Sequence, residues 1–355
     1  MERGEEKKKL DEEFWQRYPE LYELLKSKAV TDINFNGGQL WVSKVNRIPD
    51  IVRTNNINKA YMYRFAIAVA DRVGAEFNPT ERVVFGDGEN LRITCIEPSQ
   101  SVSGISVCIR KFLPGLRFTW QEAVEKQYAE VECMNLIRNC VLARQSFSFC
   151  GLPGDGKTEC MRFFSQFIRK YEHVVTIEDT PEINYSNINP GGCHSALKVM
   201  NGDYEECLTT ALRMSPAWIE FGESRGREVR YLLECWSNGI PLMTTIHTDD
   251  AGEVPERILN MLETRQDADR IVNEVYKNLG VSILVKKKVH PDESISRHID
   301  QVYFYYRKDG KNHLAKVVEN GELFKDRLPA HIKDEIEKAV GHGAFEAPKS
   351  DEEVP

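Results

Sequence analysis

Residues 151–158 read Gly-Leu-Pro-Gly-Asp-Gly-Lys-Thr, a complete G-x-x-x-x-G-K-T pattern, and no other stretch restricts the fold of this chain as tightly. Gly151, Gly154 and Gly156 remove the Cβ where a backbone must turn sharply and approach a polyphosphate. The amides of the loop then point at the phosphates, and the helix that follows adds the positive end of its dipole. Lys157 supplies a mobile cation for the β- and γ-phosphates, and the Thr158 hydroxyl is placed to ligate Mg²⁺. The expected cradle is therefore the whole octapeptide, with Leu152, Pro153 and Asp155 filling the positions between the glycines. The flanks agree with this reading. Ser146 to Cys150 alternates like a short strand, and Glu159 to Tyr171 carries Met161, Phe164, Phe167 and Ile168 at helical spacing. Strand, loop and helix in that order imply a site for a nucleoside triphosphate, taken to be ATP with Mg²⁺.

At 355 residues the chain is long for one core and comfortable for two domains. No run approaches the about 18 apolar residues of a membrane span, and the charged start Met1 to Glu13 lacks a signal-peptide core. The nine cysteines are scattered, without a C-x-x-C pair, which fits reduced thiols in a cytoplasm better than disulfides or zinc ligands. A formal charge of −8, and no basic stretch interleaved with aromatics, make direct nucleic-acid binding an unexpected role.

Residues 1–28 place Leu10, Phe14, Trp15, Tyr18, Leu21 and Leu25 on one helical face, expected to pack on its own domain. Thr31 to Val42 alternates like two strands joined by an Asn-Gly-Gly turn, a helix follows over 58–73, and strands are expected near 82–86, 91–97 and 104–110. Residues 1–112 thus read as an α+β domain, and 113–118 as a linker around Pro114-Gly115. From Thr119 the pattern changes. Helices over about 119–143 and 159–171 alternate with short apolar strands at 146–150, 174–177, 218–221 and 242–246. Such alternation around a phosphate loop indicates an α/β domain over 119–340, a P-loop NTPase with a RecA-like, mostly parallel sheet. A hairpin is expected from the strands 281–289, 299–306 and 311–318, and the acidic tail 341–355 is expected to be disordered.

Ligands of parallel α/β sheets sit beyond the carboxyl ends of the strands, and each later strand ends in chemistry. Val174 to Ile177 delivers Glu178 and Asp179; Trp218 to Phe221 delivers Gly222 and Glu223, with Arg225 two residues on; Pro241 to Ile246 delivers His247. Carboxylates there can orient water beside Mg²⁺, an arginine can supply transition-state charge, and a histidine can sense the γ-phosphate. Sequence leaves open which glutamate is the general base.

These segments resemble, in order, four boxes of the secretion and traffic ATPase family: the phosphate loop 151–158, the acidic box 177–182, the Gly-Glu form of the Walker B motif at 222–225, and the histidine box 244–248. Ala211 to Pro216 is similar to the family's Leu-Arg-x-x-Pro segment, while Thr31-Asp32-Ile33 and Ile109-Arg110-Lys111 are similar to elements of its N-terminal domain. The resemblance implies a homo-hexameric, ATP-hydrolysing ring working with membrane-embedded secretion or conjugation machinery, cytoplasmic and peripheral at the inner face of the cell membrane. It implies Glu178 as a water-orienting acid, Glu223 as the Mg²⁺-side or general-base acid together with Thr158 on the metal, and His247 as the histidine-box residue. Arg225 and Arg213 become charge partners, and Arg110 an arginine contributed by the N-terminal domain. Short and without a paired-cysteine insert, the chain resembles the compact type IV secretion, conjugation or tight-adherence ATPases.

Asp155 stands where the family usually has serine and Glu159 where it usually has threonine; Ile240, Ala217 and Gly226 are further departures. Two added acids near a triphosphate imply weaker nucleotide binding. Two alternatives stay open at this stage: a RecA-like ATPase stimulated by nucleic acid, and a nucleotide-binding scaffold with little hydrolysis.

Overall fold

The structure is a computed structural model describing residues 10–88, 90–200, 202–226, 228–262 and 267–348. It forms two compact units. The first comprises the described residues up to Leu113 together with Val289–Ile295. In chain order its elements are α1 (Glu12–Gln16), α2 (Pro19–Lys26), β1 (Val30–Asn36), β2 (Leu40–Lys44), β3 (Asp50–Val52), α3 (Lys59–Val73), β4 (Val83–Gly88), β5 (Leu91–Ile96) and β6 (Ser106–Lys111). The strands form one antiparallel sheet in the order β3-β2-β1-β6-β5-β4. Phe14, Trp15, Leu21 and Leu25 of α1 and α2 share a buried core with Met62, Phe65 and Val69 of α3 and the inward residues of the sheet. The single helix expected over 1–28 is two helices where described, because Pro19 starts a new one; residues 1–9 lie outside the described residues. Val289–Ile295 joins this unit through the Ile48 amide, which donates to Glu293 O at 3.3 Å, and the Ile295 amide, which donates to Asn46 O at 2.8 Å.

The second unit runs Pro114–Lys288 and resumes at Ser296. It begins with α4 (Trp120–Glu125), α5 (Val131–Leu142), β7 (Phe147–Cys150), α6 (Lys157–Ser165), β8 (Val174–Glu178), α7 (Tyr185–Ile188) and β9 (His194–Lys198). It continues with α8 (Tyr204–Arg213), β10 (Trp218–Ser224), α9 (Val229–Ser237), β11 (Leu242–Ile246), α10 (Val254–Met261) and α11 (Ala268–Asn278). It ends with β12 (Val281–Val289), β13 (Ile295–Lys308), β14 (Lys311–Glu319), β15 (Glu322–Leu323) and α12 (Ala330–Val340). The nine strands lie in the order β15-β14-β13-β12-β7-β11-β10-β8-β9. From β12 to β9 every neighbouring pair is parallel, while β13, β14 and β15 add an antiparallel flank. This is the P-loop NTPase arrangement: β7, β8, β10 and β11 are buried on both faces, and their carboxyl ends open on one edge.

Two expected elements differ. The helix anticipated over 119–143 is split into α4 and α5, because Gln127 turns into the left-handed region (φ 53°) and lets Tyr128 drop into the core, 5.0 Å from the Phe118 ring centroid. Burial of an aromatic outweighs local helix propensity there. Of the tail expected to be disordered, residues 341–348 are placed. Ala344 is buried, and Asn139 Nδ2 donates to the carbonyls of Ala344 (2.9 Å) and Glu346 (3.0 Å). Residues 349–355 lie outside the described residues.

Candidate functional site

The phosphate loop leaves β7 at Cys150 with glycines in conformations closed to other residues. Gly151, Gly154 and Gly156 have φ of 150°, 81° and 99°. A Cβ on Gly151 would come within 2.8 Å of Val285 O, and one on Gly156 within 3.0 Å of Arg297 Cδ. Gly156 caps α6, so Lys157, Thr158 and Glu159 occupy a first turn whose amides lack intrahelical acceptors. Those donors, the buried Lys157 and the Thr158 hydroxyl beside it fit a polyphosphate with its Mg²⁺. Among the described residues no three His, Cys, Asp or Glu side chains are grouped to hold a metal ion.

The two acids flagged as departures are placed so that their charge is answered. Glu159 receives the Arg117 amide (2.7 Å) and pairs with the buried Arg162 (2.9 Å), which in turn donates to Pro114 O and Gly115 O. It fastens the segment before α4 to α6. Asp155 turns inward: Oδ2 accepts from the Leu152 amide at 2.8 Å, closing the loop on itself, and Oδ1 lies 3.9 Å from Lys287 Nζ. Both acids thus meet cations of the same unit: Glu159 the Arg162 guanidinium and Asp155 the Lys287 ammonium.

The acidic strand ends are built differently. Glu178 closes β8, is buried, and accepts the amides of Glu182 (2.9 Å) and Ile183 (3.0 Å) on Oε1. Burial pushes its carboxyl up to about 8, against the pull of those two amides. It packs over Gly222, where a Cβ would lie 3.1 Å from Glu178 Cγ. Gly222 is also the extra residue of a β-bulge: Phe221 pairs with Thr244 and Glu223 with Thr245. Thr245 Oγ1 donates to Gly222 O (2.9 Å), and the Ser224 and Thr244 hydroxyls share a hydrogen bond (2.9 Å). The threonines of the histidine box thus hold the bulge, which redirects the strand end carrying Glu223.

Glu223 meets one cation and a histidine. Arg225 Nε donates to Glu223 Oε2 at 2.6 Å, and His247 Nε2 lies against Glu223 Oε1. On its other side, His247 Nδ1 is 3.2 Å from Lys157 Nζ. Burial first, and then the Lys157 ammonium, push the imidazole below its usual value, so the ring is neutral at pH 7. A neutral ring whose Nδ1 accepts from Lys157 carries its hydrogen on Nε2, on the side of Glu223. Lys157 also donates to Leu152 O (3.4 Å). One continuous line, Lys157–His247–Glu223–Arg225, therefore joins the phosphate loop to the ends of β10 and β11.

Not every expected residue joins this line. Arg213 ends α8 exposed, and its side chain has no hydrogen bond or ion pair to another described residue. Arg110 belongs to the first unit, where its Nε donates to Asp32 Oδ1 at 2.9 Å. Three residues escaped the sequence analysis. Lys287 and Arg297 reach the phosphate loop from β12 and β13, far along the chain, and Glu220 lies wholly buried inside β10 with Ser165 Oγ donating to it. Burial raises the Glu220 carboxyl well above its ordinary value, Glu178 adding to the effect and Arg162 opposing it.

The chain belongs to the type II/IV secretion system protein family, whose model matches residues 88–317, more than half of its length. An uncharacterised protein of Bacillus anthracis is 25% identical over 296 residues, covering 82% of this chain and 65% of that protein. The chain thus spans a little under two-thirds of that relative. Protein VirB11 of Agrobacterium fabrum is 23% identical over 250 residues, covering 61% of this chain and 71% of VirB11. The X-ray structure of the Legionella pneumophila ATPase DotB superposes with a TM-score of 0.60 at 16% identity, covering 86% of this chain and 84% of that one, and shares the fold. Among the described residues no helix is long and apolar enough to cross a membrane.

Proposed function

We propose that this protein is an ATP-hydrolysing motor of a bacterial secretion, conjugation or pilus machine. The observation that carries the reading is the line Lys157–His247–Glu223–Arg225, which ties a complete phosphate loop to two further strand ends. ATP binds with its phosphates on the loop amides and Lys157. Thr158 and Glu223 are the residues that would hold Mg²⁺, which would offset charge on the phosphates. The raised Glu178 carboxyl suits a general base acting near neutral pH, because proton abstraction is most effective when the base titrates close to the working pH. Arg225 sits beside Glu223 to meet charge developing on the transferred phosphoryl group. His247 reports phosphate binding, since a triphosphate competes with it for Lys157. Family membership supports a homo-hexamer, peripheral on the cytoplasmic face of the membrane and engaging membrane-embedded machine components, with Arg213 as a charge partner and Arg110 as an arginine contributed by the N-terminal domain.

Phosphate release by the purified chain, with ATP and Mg²⁺, tests the reading. Turnover is expected in the unaltered protein and none above background in Lys157→Ala. Equal rates in the two would overturn the assignment.

A further inference from the structure

Asp155 is an odd residue for a phosphate loop, and the surroundings explain how it is tolerated. A carboxylate 5% exposed, one residue from the helix that receives the phosphates, would by itself oppose a polyanion across a few ångströms. Its countercharge comes from elsewhere in the chain. β12 pairs in parallel with β7, from Val281 beside Phe147 to Leu284 beside Cys150, so the residues that follow Leu284 run past the loop that follows Cys150. Side chains alternate along β12. Lys286 leaves one face to meet Asp300 at 2.7 Å, and Lys287 leaves the other. Lys287 Nζ lies 3.9 Å from Asp155 Oδ1, donates to Pro153 O at 3.2 Å, and would touch a Cβ on Gly154 at 3.4 Å. From β13, Arg297 donates to Gly154 O through both Nε (3.2 Å) and Nη2 (2.9 Å).

Both cations therefore grip carbonyls of the loop. In a trans peptide the carbonyl and the following N–H point in opposite directions, so holding Pro153 O outward turns the Gly154 N–H to the other side. We propose that Lys287 is a positioning residue of the nucleotide site: it neutralises Asp155 and, with Arg297, holds the phosphate loop by its outer carbonyls, thereby setting affinity for a di- or triphosphate. The inference rests on the nucleotide-binding reading above. It gives Asp155 and Lys287 a joint role, with a consequence that a purely structural lysine would not have. Removing the lysine exposes an uncompensated acid, and removing the acid as well relieves the defect.

The test is a titration of fluorescent ADP, in the presence of Mg²⁺, into the full chain and its Lys287→Met, Asp155→Ser, doubly substituted and Lys157→Ala variants. Methionine keeps the apolar stem of a half-exposed lysine, and thermal unfolding of each variant confirms a folded sample. Lys287→Met is expected to weaken ADP binding roughly tenfold. Asp155→Ser in that background is expected to recover most of the loss, a coupling that a double-mutant cycle reads directly. ADP binding that is lost in Lys157→Ala yet unchanged in Lys287→Met overturns this inference alone. So does a double variant as weak as Lys287→Met. A wild-type chain that binds no ADP overturns the nucleotide reading, and this inference with it.

Discussion

β8 and β10 lie side by side in one sheet and end in glutamates, yet the two ends are opposite environments. Glu178 is enclosed, satisfied by backbone amides, and raised by burial to about 8. Glu223 is turned by the Gly222 bulge toward Arg225 and His247, within reach of Lys157 through the histidine. The same residue type thus receives two chemical characters from its neighbours. One carboxyl holds and releases a proton near neutral pH; the other lies between the Arg225 guanidinium and the His247 ring, a setting suited to orienting a hydrated metal. Gly222 separates them, touching both.

The largest test of this contrast is to neutralise each acid. Glu178→Gln is expected to lower kcat by about 10²- to 10⁴-fold while ADP binding survives. Glu223→Gln is expected instead to raise the Mg²⁺ concentration needed for half-maximal rate; identical Mg²⁺ responses in the two variants would erase the distinction. Gly222→Ala comes next. Its methyl must displace Glu178 and strain the bulge, costing about 1–3 kcal/mol of stability by thermal or denaturant unfolding and lowering kcat more than it alters KM. The smallest effect is predicted for His247→Ala. Freed of its ring partner, Lys157 stays available to phosphate, so ADP affinity should hold or rise while kcat falls about tenfold, less than the about 10²- to 10⁴-fold lost with a group that itself transfers the proton.

The phosphate loop, the strand ends and the parallel sheet were legible because each rests on local pattern: glycines at fixed offsets, apolar runs of strand length, and polar residues directly after them. What sequence did not reveal depends on contacts between distant segments. Nothing local marks Gly222 as a bulge; the extra residue exists only in register with Thr244 and Thr245. Lys287 and Arg297 reach Pro153 and Gly154 from more than a hundred residues away, so the acidic loop looked uncompensated when read alone. The break at Gln127 likewise follows from the demand of Tyr128 for the core. Arg213 and Arg110 were chosen by resemblance; Arg213 ends α8 exposed, and Arg110 pairs with Asp32 in the first unit.

The pH dependence of single-turnover ATP hydrolysis tests the division of roles most directly. An acid raised to about 8 is protonated below that value and becomes a base as pH climbs through it. The wild-type rate should therefore rise from pH 6 and level off above about 8, and Glu178→Gln should leave a low rate without that limb. A wild-type rate flat across this range, or a Glu178→Gln variant that keeps the same rise, would contradict the account.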